Sequence, residues 1–103
     1  MKFKLLILLI ILSIQSFSQD TAVKFHAVNH ASFVIESGDL TIWVDPVGSP
    51  VSYKDYPEPD LILITHGHQD HYNKNILDPF KETSTTIIAP KSVTDLLGFG
   101  VIM

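Results

Sequence analysis

The alternation of apolar and polar positions divides the chain before any motif is considered. From Thr21 to Val28, Val23, Phe25 and Ala27 fall on one side and Lys24 and His26 on the other, the period-two pattern of a half-buried strand with His26 on its solvated side. Two β-branched and aromatic runs follow, Ser32 to Glu36 and Leu40 to Val44. They are separated by Ser37-Gly38-Asp39, whose glycine can take the positive φ of a hairpin turn. An antiparallel meander is predicted, with Trp43 as a packing residue. The stretch Asp45 to Asp60 carries Pro46, Pro50, Pro57 and Pro59 with Gly48, and reads as an irregular surface loop in which Tyr53 packs inward. Leu61 to Ile64 is apolar at every position, which predicts a strand covered on both faces. Asn73 is placed to cap a short helix reaching about Leu77, with Pro79 at its limit. Thr85 to Ala89 reads as another buried strand and Lys91 to Leu97 as a helix closed by Gly98. Strand, helix, strand, helix in the second half predicts helices packed on a sheet, an α/β (α+β) class.

The first residues follow a different pattern. Met1-Lys2-Phe3-Lys4 is a short basic start, Leu5 to Leu12 is unbroken aliphatic, and Ser16-Phe17-Ser18 offers small residues where a signal peptidase reads. Residues 1–18 are therefore expected to be a secretory signal peptide cleaved after Ser18, leaving 19–103 as an exported, periplasmic or secreted chain. A spanning anchor needs about 20 apolar residues, and Ser13, Gln15 and Ser16 interrupt this run. With no cysteine to carry a lipid, no stable membrane anchor is expected after cleavage.

Composition narrows the chemistry. The 103 residues allow one small domain. The absence of cysteine excludes a disulfide framework, a thiolate metal site and a cysteine nucleophile within them. The formal net charge is −4 and there is no arginine; loss of Lys2 and Lys4 with the leader makes the remainder more acidic. Such a surface repels phosphate backbones, so a nucleic-acid partner is not expected, and a bound cation is welcome.

Histidine and carboxylate chemistry remain, and they are concentrated in Thr65-His66-Gly67-His68-Gln69-Asp70-His71, directly after the buried strand. Crowded imidazoles repel one another's protons, so this density makes sense around a metal. His66 and His68, two residues apart at a strand exit, can point the same way and share one ion, while Gly67 lets the backbone turn. Asp70 and His71 are adjacent and diverge, so they can serve a second ion a few ångströms away. Two such ions can lower the pKa of a shared water and polarise a carbonyl or phosphoryl oxygen, and the reaction class implied is hydrolysis.

The run His66-Gly67-His68-Gln69-Asp70-His71, preceded by a hydrophobic strand and Thr65, resembles the His-x-His-x-Asp-His signature of metallo-β-lactamase-fold hydrolases. Asp45, at the end of Leu40 to Val44, resembles the aspartate that supports the metal loop from behind in that superfamily. His30-Ala31-Ser32-Phe33-Val34-Ile35 followed by Trp43-Val44-Asp45-Pro46 is similar to the branch that includes ascorbate-6-phosphate lactonase and related lactonases, amidases and phosphodiesterases. The resemblance covers essentially residues 22 to 103. It implies the N-terminal half of an αββα sandwich, a fold that usually needs roughly 200 residues, so the chain is expected to be truncated.

The same resemblance implies that His66 and His68 ligate a first zinc and Asp70 and His71 a second, other divalent metals being possible. Asp70 would also orient or accept a proton from the attacking water, and Asp45 would fix the loop by accepting hydrogen bonds. His30 would lie near the metals in the lactonase-like branch, against the plainer reading of a structural hairpin-end histidine. The substrate expected is a small molecule with an ester, lactone, amide or phosphodiester bond. Further ligands in the family come from downstream, and the last histidine here is His71. The rival reading is a non-catalytic fragment that at most binds metal through the run. Asp45 before Pro46 also has the plainer reading of a turn start, and Lys91 that of a solvated first-turn lysine against a contact to an anionic substrate.

Half of a two-sheet sandwich exposes the apolar face meant for its partner. The isolated chain is thus expected to be poorly soluble or partly unfolded without metal, as checked by sedimentation and thermal melting; a soluble metal-free monomer with a sharp cooperative transition would contradict this.

Overall fold

The structure, a computed structural model, describes residues 22–103; the expected leader lies outside the described residues. Three antiparallel strands, β1 (Val23–Asn29), β2 (Ser32–Ser37) and β3 (Leu40–Val44), open the fold as the predicted meander. Three parallel strands continue the sheet: β4 (Leu61–Leu63), β5 (Thr86–Ala89) and β6 (Val101–Ile102). Their spatial order is the sequence order, β1 through β6. The β2–β3 hairpin is tighter than expected, because Ser37 pairs with Leu40 and only Gly38-Asp39 makes the turn, with Gly38 at φ 57°.

Each parallel strand is reached by a crossover. The first contains a 3₁₀ turn at Pro50–Tyr53, the second the helix α1 (Lys74–Leu77), and the third the helix α2 (Lys91–Leu97). Asn73 caps α1 by accepting from the Asn75 amide at 2.9 Å, and Gly98, at φ 77°, ends α2, both where the sequence puts them. Successive right-handed crossovers that step in one direction lay their segments on the same face of a sheet. Accordingly Tyr53, Ile76, Leu77, Val93 and Leu97 pack in one cluster with Val34, Trp43, Ile62 and Ile87 of the strands.

The other face carries the alternate residues in register: Phe25 opposite Ile35, Ile35 opposite Ile42, Ile42 opposite Leu61, and Val44 opposite Leu63, which pairs with Ile88. Phe25 is 66% exposed although its ring stacks on Phe33 at 4.8 Å, and Val101 is 53% exposed. Two expectations are corrected by this arrangement. Leu61 to Ile64 is covered on one face only among the described residues: Ile62 and Ile64 are fully buried, whereas Leu61 and Leu63 are half-buried. On β1 the apolar side, Val23 and Phe25, is the open one, and His26 faces the helical side. There its Nε2 meets Glu36 Oε2 at 2.6 Å and its ring lies 5.2 Å from Tyr56. Alternation separates two sides of a strand but does not say which meets the helices; here the polar pair is satisfied beneath Tyr56 while the two phenylalanines stack on the open side.

This two-sidedness gives a paired test on adjacent residues of β4. Ile62→Ala removes a fully buried side chain and is expected to cost about 2–5 kcal/mol. Leu61→Ala, on the open face, should cost less than about half of that, since less area leaves water there. Urea midpoints of the two variants measure the difference.

Candidate metal centre

The site grows from the carboxyl ends of β3 and β4, the edge of a parallel sheet where ligands of open α/β sheets bind. Asp45 follows β3 directly. Its amide donates to the Leu63 carbonyl at 2.8 Å, prolonging the ladder by one step, and its backbone then turns away at φ 45°. That left-handed conformation is uncommon outside glycine, and aspartate and asparagine tolerate it best among the rest. The turn is held from outside: the Ser32 hydroxyl donates to the Asp45 carbonyl at 2.5 Å and accepts from the Val47 amide at 3.2 Å. The buried Tyr53 hydroxyl donates to the Val47 carbonyl and accepts from its amide, both at 3.1 Å; burial raises the phenol's pKa. Beyond it, Gly48 at φ 86° faces Asn29 so closely that a Cβ would stand 2.6 Å from that amide, and Asn73 donates to the Gly48 carbonyl at 3.0 Å.

So placed, the buried Asp45 carboxylate faces the strand exit beside it. Oδ1 accepts from the Thr65 amide at 2.7 Å, and Oδ2 accepts from the Thr65 hydroxyl at 2.5 Å. His71 is brought back over the same carboxylate by a turn in which its amide donates to the His68 carbonyl at 2.9 Å, and its Nδ1 lies 3.0 Å from Oδ2. That hydrogen bond, reinforced by the negative charge of Asp70 and Asp45 and opposed by partial burial, holds the His71 pKa above its ordinary value. His66 Nδ1 stands 2.9 Å from the Thr65 hydroxyl. Gly67 passes so near the first turn of α2 that a Cβ would meet Ser92 Oγ at 2.6 Å, which keeps the loop low against that helix.

The three rings therefore share one rim. Ring centres are 4.7 Å apart for His66 and His71, 6.1 Å for His66 and His68, and 6.5 Å for His68 and His71. Two imidazoles on one tetrahedral ion at the usual bond length have centres about 5 Å apart, a spacing that the His66–His71 pair matches and the two pairs with His68 exceed. Asp70 is exposed, with Oδ2 3.7 Å from His71 Nε2. Nitrogen and carboxylate donors of this kind fit a divalent transition metal. Among the described residues no three of these side chains yet converge as a closed cage, so the rim is an open, partial ligand set. A cavity of about 240 Å³ opens on the helical face by Trp43, Tyr53, Tyr56 and Phe80, and none of the four motif residues lines it.

The structure thus groups His66, His68, Asp70, His71 and Asp45. His30 occupies the β1–β2 turn at φ 52°, at the same end of the sheet, and is exposed; among the described residues no hydrogen bond joins it to the histidine run. Lys91 is exposed and pairs with Asp95 at 2.6 Å. Sequence reasoning did not assign work to Thr65 or Ser32. A hydroxyl immediately before the first motif histidine was the available signal for the former; the latter depends on a long-range contact.

Residues 24–101 match the profile of the beta-lactamase superfamily domain. Over 70 residues the chain is 34% identical to a UPF0173 metal-dependent hydrolase of Desulforamulus reducens, covering 65% of this chain and 30% of that protein. Over 81 residues it is 33% identical to one of Shouchella clausii, covering 75% and 34%. The chain spans about a third of the length of these curated relatives. Among solved structures, a protein of Parabacteroides distasonis named as a metal-dependent hydrolase superposes with a TM-score of 0.68 at 30% identity, covering 79% of this chain and 37% of that one. Igni18, a metallo hydrolase of Ignicoccus hospitalis, has the same fold at 22% identity, with a TM-score of 0.59 over 79% of this chain and 38% of its own.

Asp45→Asn tests the anchoring carboxylate. Asparagine tolerates the left-handed backbone and its amide oxygen can still accept from the Thr65 amide, so the substitution chiefly removes charge from the other two donors. A loss of about 1–3 kcal/mol is expected, the range for hydrogen bonds to a charged, buried acceptor, and urea unfolding measures it.

Proposed function

The chain belongs to the beta-lactamase superfamily domain family, and on that footing we propose that its histidine run is part of the active site of a zinc-dependent hydrolase. The observation that carries the reading is the His71–Asp45 pair. An imidazole whose Nδ1 is bound by a buried carboxylate presents Nε2 outward in a fixed orientation, the arrangement that metal-ligating histidines ordinarily adopt.

In this reading His66 and His68 hold one zinc and Asp70 and His71 a second, with any remaining ligands outside this chain's described residues. When bound, such ions supply Lewis acidity, lowering the pKa of a water and drawing charge from the substrate's carbonyl or phosphoryl oxygen. The chain's own part is positional and protonic. Asp45 keeps the loop against β4, the low-lying Gly67 keeps the rim open, and the exposed Asp70 carboxylate accepts the proton of the attacking water. The substrate is a small molecule carrying an ester, lactone, amide or phosphodiester bond, and the acidic, arginine-free surface argues against a polyanion such as nucleic acid. Residues 1–18, basic then aliphatic then small, support export, so this chemistry would run in the periplasm or outside the cell.

The test uses protein purified from its native cells. Metal content is measured first, then hydrolysis of a chromogenic ester, lactone, amide and phosphodiester before and after dialysis against a chelator. The expected result is activity on at least one class that the chelator abolishes and zinc restores, and an Asp70→Asn variant slowed about 10²–10⁴-fold, as loss of a positioned proton acceptor implies. Absence of bound metal, or activity indifferent to the chelator, would overturn the reading.

A further inference from the structure

We propose that Thr65 is a positioning residue that transmits the orienting effect of Asp45 to a second imidazole, fixing His66 as the tautomer protonated on Nδ1. The hydroxyl of Thr65 has one hydrogen and three partners, Asp45 Oδ2 at 2.5 Å, His66 Nδ1 at 2.9 Å and, more distantly, His71 Nδ1 at 3.4 Å. A hydroxyl oxygen and a carboxylate oxygen can approach so closely only with a hydrogen between them, and Thr65 supplies it. Were that hydrogen turned to His66 instead, lone pairs of two oxygens would face each other at 2.5 Å. With its hydrogen committed to Asp45, Thr65 can only accept from His66, so the ring's one N–H sits on Nδ1. Nε2 of His66 is then left with a free lone pair.

His71 reaches the same state directly, because its Nδ1 lies 3.0 Å from the same Oδ2. One carboxylate oxygen therefore sets two rings, His71 at first hand and His66 through a hydroxyl. The inference rests on the metal-site reading only in its purpose, since an Nε2 lone pair is what a ligand needs; the proton placement stands on the hydrogen-bond geometry of Asp45, Thr65 and His66 alone. His68, for which no side-chain hydrogen bond is seen among the described residues, serves as an internal reference.

The experiment reads the tautomers without metal or substrate. The full chain, labelled with ¹⁵N on histidine and freed of metal, is examined above neutral pH by long-range proton–nitrogen NMR, or by magic-angle spinning if it sediments. His66 and His71 are expected to be Nδ1-protonated. In Thr65→Val, which keeps the shape and removes the hydroxyl, His66 alone should move toward the Nε2-protonated form that an unrestrained histidine favours; Thr65→Ser should restore it. Chelator competition with zinc on the same samples should show affinity about 10–100-fold weaker for Thr65→Val and recovered for Thr65→Ser, the range for losing an orienting partner of a ligand. An Nε2-protonated His66 in the wild type, or a tautomer unchanged by Thr65→Val, overturns the proposal. Failure of the wild type to bind zinc would instead sink the hydrolase reading while leaving the proton placement standing.

Discussion

Everything at the carboxyl edge of the sheet depends on one buried carboxylate. Asp45 gathers the Thr65 amide, the Thr65 hydroxyl and His71 Nδ1, groups 20 and 26 residues away along the chain. A buried carboxylate is tolerated only when its lone pairs are met, and here the donors that meet it also orient the histidine loop. The cost of placing it is visible in the backbone, which turns at φ 45°, and in the hydroxyls of Ser32 and Tyr53 that hold that turn from behind.

The two halves of the sheet explain why such a carboxylate is available. The antiparallel meander needs only short turns, so β3 can end wherever its sequence turns polar. The parallel strands need crossovers, and the loops at their ends are free to carry chemistry because the helices behind them bury the apolar side chains. The motif residues stand on an open rim rather than in the aromatic cavity beneath Trp43, which belongs to the packing of the crossovers.

Much of this was legible in the sequence, and the exceptions have a common cause. The β2 and β3 strands, the Asn73 cap, the Gly98 stop and the grouping of His66, His68, Asp70 and His71 all follow from local rules: alternation, capping side chains and close spacing. Asp45 was readable as a strand-end carboxylate because the family resemblance pointed to it. What local rules missed was orientation and partnership. The side of β1 that meets the helices is decided by Tyr56, thirty residues from His26, and that reversed the expectation for His26. The covering of Leu61 and Leu63 depends on what lies over the sheet's second face, which no run of four apolar residues can specify. Thr65 and Ser32 matter through bonds to Asp45, 20 and 13 residues away, and a hydroxyl has no periodicity to betray such a bond.

The mixed pairing also orders the assembly in time. The β1–β2–β3 meander closes through two-residue turns, the kind of local contact that forms early, whereas the bonds from Asp45 to Thr65 and His71 must wait for the longer loop to close and β4 to dock alongside β3. The loop that bears the three motif histidines is therefore held in its orientation only once β4 lies beside β3.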